Sequence, residues 1–162
     1  MTRDDRLVRL SREHHHGLVL ALRIQRELPG AADDEATALY NDLLRFWVAG
    51  LLPHFEAENA CLLARLATHE DEGLACAGRL QREHREMEAL VETMRAAKHA
   101  GERRAALARF GAALGAHIRW EEHELFEWMQ VRFTPDELDA VGALLAARLP
   151  QVPVACPTLQ SL

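Results

Sequence analysis

The stretch His54-Phe55-Glu56-Ala57-Glu58-Asn59, HFEAEN, sets a histidine and a glutamate four residues apart inside an apolar helical pattern. On an α-helix that spacing puts both side chains on one face, about 6 Å apart along the axis. The pattern returns as HIRWEE over His117–Glu122. A second pair of strings, RLSREH over Arg9–His14 and RLQREH over Arg79–His84, repeats in the same order. The chain therefore reads as two similar halves, each joining a helix that carries histidine to a helix that carries His-x-x-x-Glu.

Helical periodicity extends outward from these strings over nearly the whole chain, and strand alternation is absent. Helix 1 is expected from Leu7 or Ser11 to Leu28, stopped by Pro29-Gly30. Helix 2 is expected from Asp34 to Ala67, helix 3 from Asp71 to Lys98, and helix 4 from Glu102 to Arg132. Thr134-Pro135-Asp136-Glu137 is a capping box with proline at the first helical position, and opens a fifth helix that ends before Pro150. Long helices joined by short loops favour an all-α fold, an antiparallel up-down four-helix bundle with a short extra C-terminal helix. The bundle is read as one domain over 1–150, followed by an irregular tail over 151–162. Pro53 lies inside helix 2 and is expected to kink it just before His54, either aiming that residue or fitting the helix around the bundle.

The composition is that of an ordinary soluble domain: 162 residues, 49% hydrophobic and 27% charged, with a net charge of −6. The charge and the lack of a Lys/Arg block argue against nucleic acid and anionic membrane as partners. The apolar run Phe46–Pro53 is far too short to span a bilayer, and the N-terminus lacks a signal-peptide core. Cys61, Cys76 and Cys156 form no CxxC motif and read as reduced, packing thiols, so the expected compartment is the cytoplasm.

The compositional oddity is nine histidines, three of them consecutive at His14, His15 and His16. Core stripes drawn at helical spacing are interrupted by them. Helix 1 gives Leu7, Leu10, His14, Gly17 or Leu18, Ala21, Ile24 and Leu28. Helix 2 gives Tyr40, Leu44, Trp47, Leu51, His54, Glu58 and Cys61; helix 3 gives Cys76, Leu80, His84, Met87, Val91 and Met94. Helix 4 gives Phe110, Leu114, His117, Glu121, Leu125 and Trp128. An unpartnered buried carboxylate costs several kcal/mol. Two glutamates and four histidines on core stripes therefore need either an unusual hydrogen-bond network or a metal. Nitrogen and carboxylate donors without thiolate suit iron, manganese or zinc. Two carboxylates beside four imidazoles suit a pair of ions that the carboxylates bridge.

The order His … His-x-x-x-Glu … His … His-x-x-x-Glu resembles the hemerythrin-like, HHE cation-binding domains. The wider strings LSREHHHGLVLALRI, LLPHFEAEN and AHIRWEEHELF resemble a bacterial branch of that family. The resemblance spans roughly Leu7 to Trp128. It implies a four-helix bundle holding an oxo- or hydroxo-bridged non-haem di-iron centre, with zinc or manganese as substitutes. Carried over by motif, the metal ligands are His54, Glu58, His84, His117, Glu121 and one of the opening histidines. His14 is favoured by its alignment with His84. His15 is the rival, with Leu18 three residues on as His84 has Met87. The oxygen carriers of the family have a further histidine four residues after the helix-3 ligand, and an aspartate five residues after the helix-4 histidine. Here Glu88 stands at the first position, where it either supplies a carboxylate or, as favoured, points to solvent, with His15 as another candidate for the vacancy; the second bridge is Glu121 at offset four.

The resemblance implies a metal-binding protein that binds or senses oxygen or another small diatomic. The alternatives are a di-iron redox enzyme acting on peroxide, nitric oxide or iron, and a bundle with a purely stabilising metal. His16, His69, His99 and His123 are expected in solvent; Glu13 and Glu83 are expected on a solvated face, with orientation of the imidazoles as the alternative. Trp47, Trp120 and Trp128 are expected in the core.

Overall fold

The computed structural model describes residues 2–150 and 153–155. Its helices are α1 (Val8–Glu27), α2 (Asp33–Phe46), α3 (Leu52–Leu66), α4 (Glu70–Ala96), α5 (Ala100–Trp120), α6 (Phe126–Arg132) and α7 (Pro135–Arg148). Two π turns, Trp47–Leu51 and Glu121–Leu125, join α2 to α3 and α5 to α6. The four rods are therefore α1, α2-π-α3, α4 and α5-π-α6, arranged as an antiparallel up-down bundle, with α7 the extra C-terminal helix packed on α3. Among the described residues there is no strand, and no helix is long and apolar enough to cross a membrane. Pro153, Val154 and Ala155 have no regular structure. The rest of the expected tail, Cys156 included, lies outside the described residues.

The helix boundaries follow local chemistry. Pro29 ends α1 through a short 3₁₀ turn, Leu28–Gly30. The first turn of α2 carries Asp33, Asp34 and Glu35, and the Glu35 carboxylate accepts the Ala32 N–H at 2.8 Å. The capping box at α7 forms as expected, with Thr134 and Glu137 satisfying each other's backbone N–H groups.

The π turns bear on two expectations. Helix 2 is not one continuous α-helix: it is interrupted just before Pro53. The π turn before it re-pairs the backbone, with Leu52 N–H donating to the Trp47 carbonyl five residues back. A π turn adds one residue, so it also shifts the helical phase. Upstream of it the buried positions are Leu39 and Leu43, while Tyr40 and Leu44 are half-buried. Downstream of the second π turn the same slip buries Met129 in place of Trp128. Regular 3.6-residue spacing, extended across either turn, lands one residue off.

Two apolar clusters fill the bundle. One contains Leu20, Ile24, Phe46, Trp47, Val91, Phe110 and Leu114. The other contains Leu7, Leu10, Leu62, Leu80, Phe126 and Met129, and extends under α7 through Val141 and Leu145. Between them lies a polar layer. Along α1, His14 stands between Leu10 and Leu20; along α4, His84 stands between Leu80 and Met87.

Close approach of α1 and α5 depends on Gly111. A Cβ built there would sit 2.7 Å from Ile24 Cγ2 and 3.0 Å from Ile24 Cβ. Ile24 is fully buried and β-branched, so it has little room to yield. Gly111→Ala is expected to lose about 1–3 kcal/mol to overpacking, more than the roughly 0.5–1 kcal/mol that alanine returns in helix propensity. Thermal unfolding checks this, with a midpoint several degrees below the parent expected.

Candidate metal centre

The buried polar or charged side chains among the described residues are His14, His54, Glu58, His84, His117 and Glu121. Each is at most 3% exposed, and both glutamates are at 0%. They form two overlapping groups, His14–His54–Glu58–Glu121 and Glu58–His84–His117–Glu121, in each of which the donor atoms lie within 4.8 Å of one another.

The outer nitrogen of every imidazole is tied down. His14 Nδ1 donates to Glu122 Oε1 at 2.6 Å, and His54 Nδ1 to Glu13 Oε2 at 2.9 Å. His84 Nδ1 donates to Asn59 Oδ1 at 3.0 Å, and His117 Nδ1 to Glu83 Oε2 at 2.8 Å. These acceptors fix the proton on Nδ1 and turn each Nε2 inward. Rings hold the orientation. Phe55 stacks on His84 with centroids 4.1 Å apart, and Phe126 stacks on His14 at 5.5 Å.

The inward atoms face one another. His14 Nε2 lies 3.1 Å from His54 Nε2, and His84 Nε2 lies 3.2 Å from His117 Nε2. Glu58 places Oε1 3.2 Å from His54 Nε2 and Oε2 3.3 Å from His84 Nε2. Glu121 Oε2 is 3.1 Å from His14 Nε2 and 3.2 Å from His117 Nε2. All four oxygens of the two carboxylates are buried and make no hydrogen bond. Such a set attracts positive charge. Burial opposes charge on His54, but Glu58 and Glu13 overcome it and raise its pKa to about 9. Burial likewise works against His14, and Glu121, Glu122 and Glu58 hold it well above the usual imidazole range. Burial would raise Glu58, and the neighbouring imidazoles hold it well below the usual carboxylate range. The same nitrogen and oxygen atoms that favour protons here are the donor set that cations would bind.

The family model of the hemerythrin HHE cation-binding domain matches residues 6–129, which include every one of these side chains. The chain belongs to the hemerythrin HHE cation-binding domain family. No match is found among curated proteins or among solved structures.

This HHE domain places the other sequence candidates as follows. His14 is in the cluster; His15, one residue on and about 100° around the helix, is exposed and outside both groups. His16 is half-buried with Nδ1 unpartnered, and Glu88 is half-buried; neither belongs to either group. His99 and His123 are exposed. His69 is not free in solvent: it stacks on Phe133 at 4.7 Å and bonds Glu137 at 2.9 Å.

Glu13 and Glu83 take the alternative role. Half-buried, they hold the rings of His54 and His117, across the helix interface rather than on their own helix. Glu122 and Asn59 are partners that stripe reading misses, since each lies about 100° from the glutamate before it. The signal for them is positional. Each directly follows the glutamate of a His-x-x-x-Glu unit.

The placement of His14 carries a prediction. His14→Ala is expected to lose metal, whereas His15→Ala and His16→Ala keep the full complement. Metal content per chain, measured for the three variants after identical loading, checks it; loss in His15→Ala with retention in His14→Ala would reverse the assignment.

Proposed function

We propose that this domain holds two iron ions, with His14 and His54 on one, His84 and His117 on the other, and Glu58 and Glu121 bridging. On this reading it binds or senses oxygen or another small diatomic. The observation that supports it most is the set of buried carboxylate oxygens without hydrogen bonds, each glutamate reaching histidines of both pairs. The absence of thiolate from either group suits iron among the common metals, with manganese and zinc as competitors. Iron in such a set supplies one-electron redox change and a coordination position for a small ligand.

The chain's own residues support a small, uncharged ligand. A cavity of about 20 Å³, counted as the space open to the centre of a water-sized molecule, lies beside His14, His54 and His117. That is room for one such molecule. Gly17, Leu51, Leu114 and Ile118 line it beside Glu13 and the histidines, so the space is small and largely apolar. A side chain at position 17 would enter this space, since a Cβ there would sit 2.7 Å from Ile118 Cδ1. Glu13, Glu83, Glu122 and Asn59 hold the imidazoles in one tautomer and one orientation.

The test is optical. The protein is loaded anaerobically with Fe(II), then exposed to oxygen, nitric oxide or peroxide in turn. Near-UV charge-transfer bands that appear with oxygen support the binding reading. Rapid catalytic consumption of peroxide or nitric oxide transfers the assignment to a redox enzyme. One tightly held zinc and a featureless spectrum leave only a structural metal.

A further inference from the structure

The sequence repeat relates the two halves of the site, and their hydrogen bonds follow it. Glu13 accepts from His54 as Glu83 accepts from His117. His14 donates to Glu122 as His84 donates to Asn59. The repeat aligns His14 with His84 and Glu122 with Asn59. The symmetry therefore breaks at one group: a carboxylate in one half occupies the place of an amide in the other.

Nearby cations do not cancel that difference. Arg3 pairs with Glu122 at 2.7 Å, and Arg79 pairs with Glu83 at 2.6 Å, so each half has one guanidinium. Glu13 pairs with no guanidinium among the described residues, and its second oxygen is buried without a hydrogen bond. The His14–His54 half thus sets two carboxylates against one guanidinium; the other half sets one against one. An imidazole whose N–H is held by a carboxylate is a more basic ligand through its other nitrogen than one held by an amide.

We infer that the two metal positions are inequivalent: the His14–His54 position takes the first ion and holds it more tightly, and Glu122 against Asn59 sets the difference. The inference rests on the two-ion reading above. Glu122 and Asn59 act through the histidines and are positioning residues.

The experiment uses the full chain, stripped of metal and titrated with Co(II). Crystals grown with one equivalent are measured at the cobalt absorption edge to give the occupancy of each position. Chelator competition gives the two stepwise constants. The expected result is at least tenfold higher occupancy at His14–His54 and constants at least tenfold apart. Glu122→Gln is expected to weaken the first step about 10–100-fold and leave the second in place. Asn59→Asp is expected to tighten the second step and bring the constants together. It adds a charge and removes no contact in the first half, so it decides the matter even if Glu122→Gln fails to fold. Equal occupancy, a first ion at His84–His117, or constants unmoved by Asn59→Asp would overturn the inference. Saturation below two cobalt ions per chain defeats the two-ion reading and this inference with it; two equal steps defeat this inference alone.

Discussion

Glu121→Ala and Glu58→Ala are each expected to leave less than one ion per chain, rather than removing one ion and sparing the other. The reason is geometric. Glu58 reaches His54 with one oxygen and His84 with the other, and Glu121 reaches His14 and His117 with a single oxygen. Each carboxylate therefore touches both histidine pairs, and removing either leaves both sets of imidazoles short of a ligand and of a compensating charge. The melts separate this loss from unfolding. Glu121 faces His14 and His117 at 3.1 and 3.2 Å. Removing it breaks a buried charge pair and leaves a cavity, at a cost of about 3 kcal/mol in the metal-free chain. Metal-free Glu121→Ala is therefore expected to melt below the metal-free parent, and metal contents are compared at a temperature where both chains are folded. Glu124→Ala, at an exposed position, serves as control and should keep its metal. Elemental analysis beside thermal melts checks both halves of the prediction. Full metal in both variants would refute bridging.

Metal removal is expected to produce the second large effect. Six buried polar side chains converge on the layer between the two apolar clusters, and their inward donor atoms lie within 4.8 Å of one another in each of two overlapping groups. Ions that bind this folded arrangement and not the unfolded chain stabilise it by mass action, about 4 kcal/mol at a thousandfold excess over the dissociation constant. For a domain of this size that corresponds to a rise in melting temperature on the order of 10 °C. Scanning calorimetry with and without a strong chelator measures it. Coincident melts would mean that the cluster is satisfied by protons alone.

Much of this is legible in the sequence. The bundle followed from periodicity and from the proline and glycine punctuation between helices. The six cluster residues followed from polar interruptions of apolar stripes, because a histidine or glutamate at a core phase is costly unless something binds it. What was not legible has a common cause. A π turn has no composition signal comparable to a proline or a capping box, so both phase slips, at Leu43 and at Met129, were hidden. The outer partners were hidden because hydrogen bonds between helices are not written in the spacing within one. Glu13 is an example: it neighbours His14 in sequence, but the ring it holds lies across the interface, at His54. Pro53 marks the interruption of helix 2 in the sequence, but not that a π turn, closed by Leu52 N–H on the Trp47 carbonyl, stands there.

The two π turns serve the site as well as the fold. The second begins at Glu121, and Glu122 follows with its carboxylate on His14. Two successive glutamates thus reach the same imidazole from opposite sides, one at Nε2 and the other at Nδ1. Burial works to raise the Glu122 carboxyl, and the His14 hydrogen bond and charge outweigh it, lowering its pKa to about 2. It therefore remains an acceptor across the physiological range.

The most direct test of the metal centre is the number of ions retained by the full chain after anaerobic loading with Fe(II) and removal of the excess by desalting. Two irons per chain, falling below one in Glu121→Ala, is the predicted result. A chain that stays folded with no bound metal, or with the same metal content in Glu121→Ala as in the parent, would contradict it.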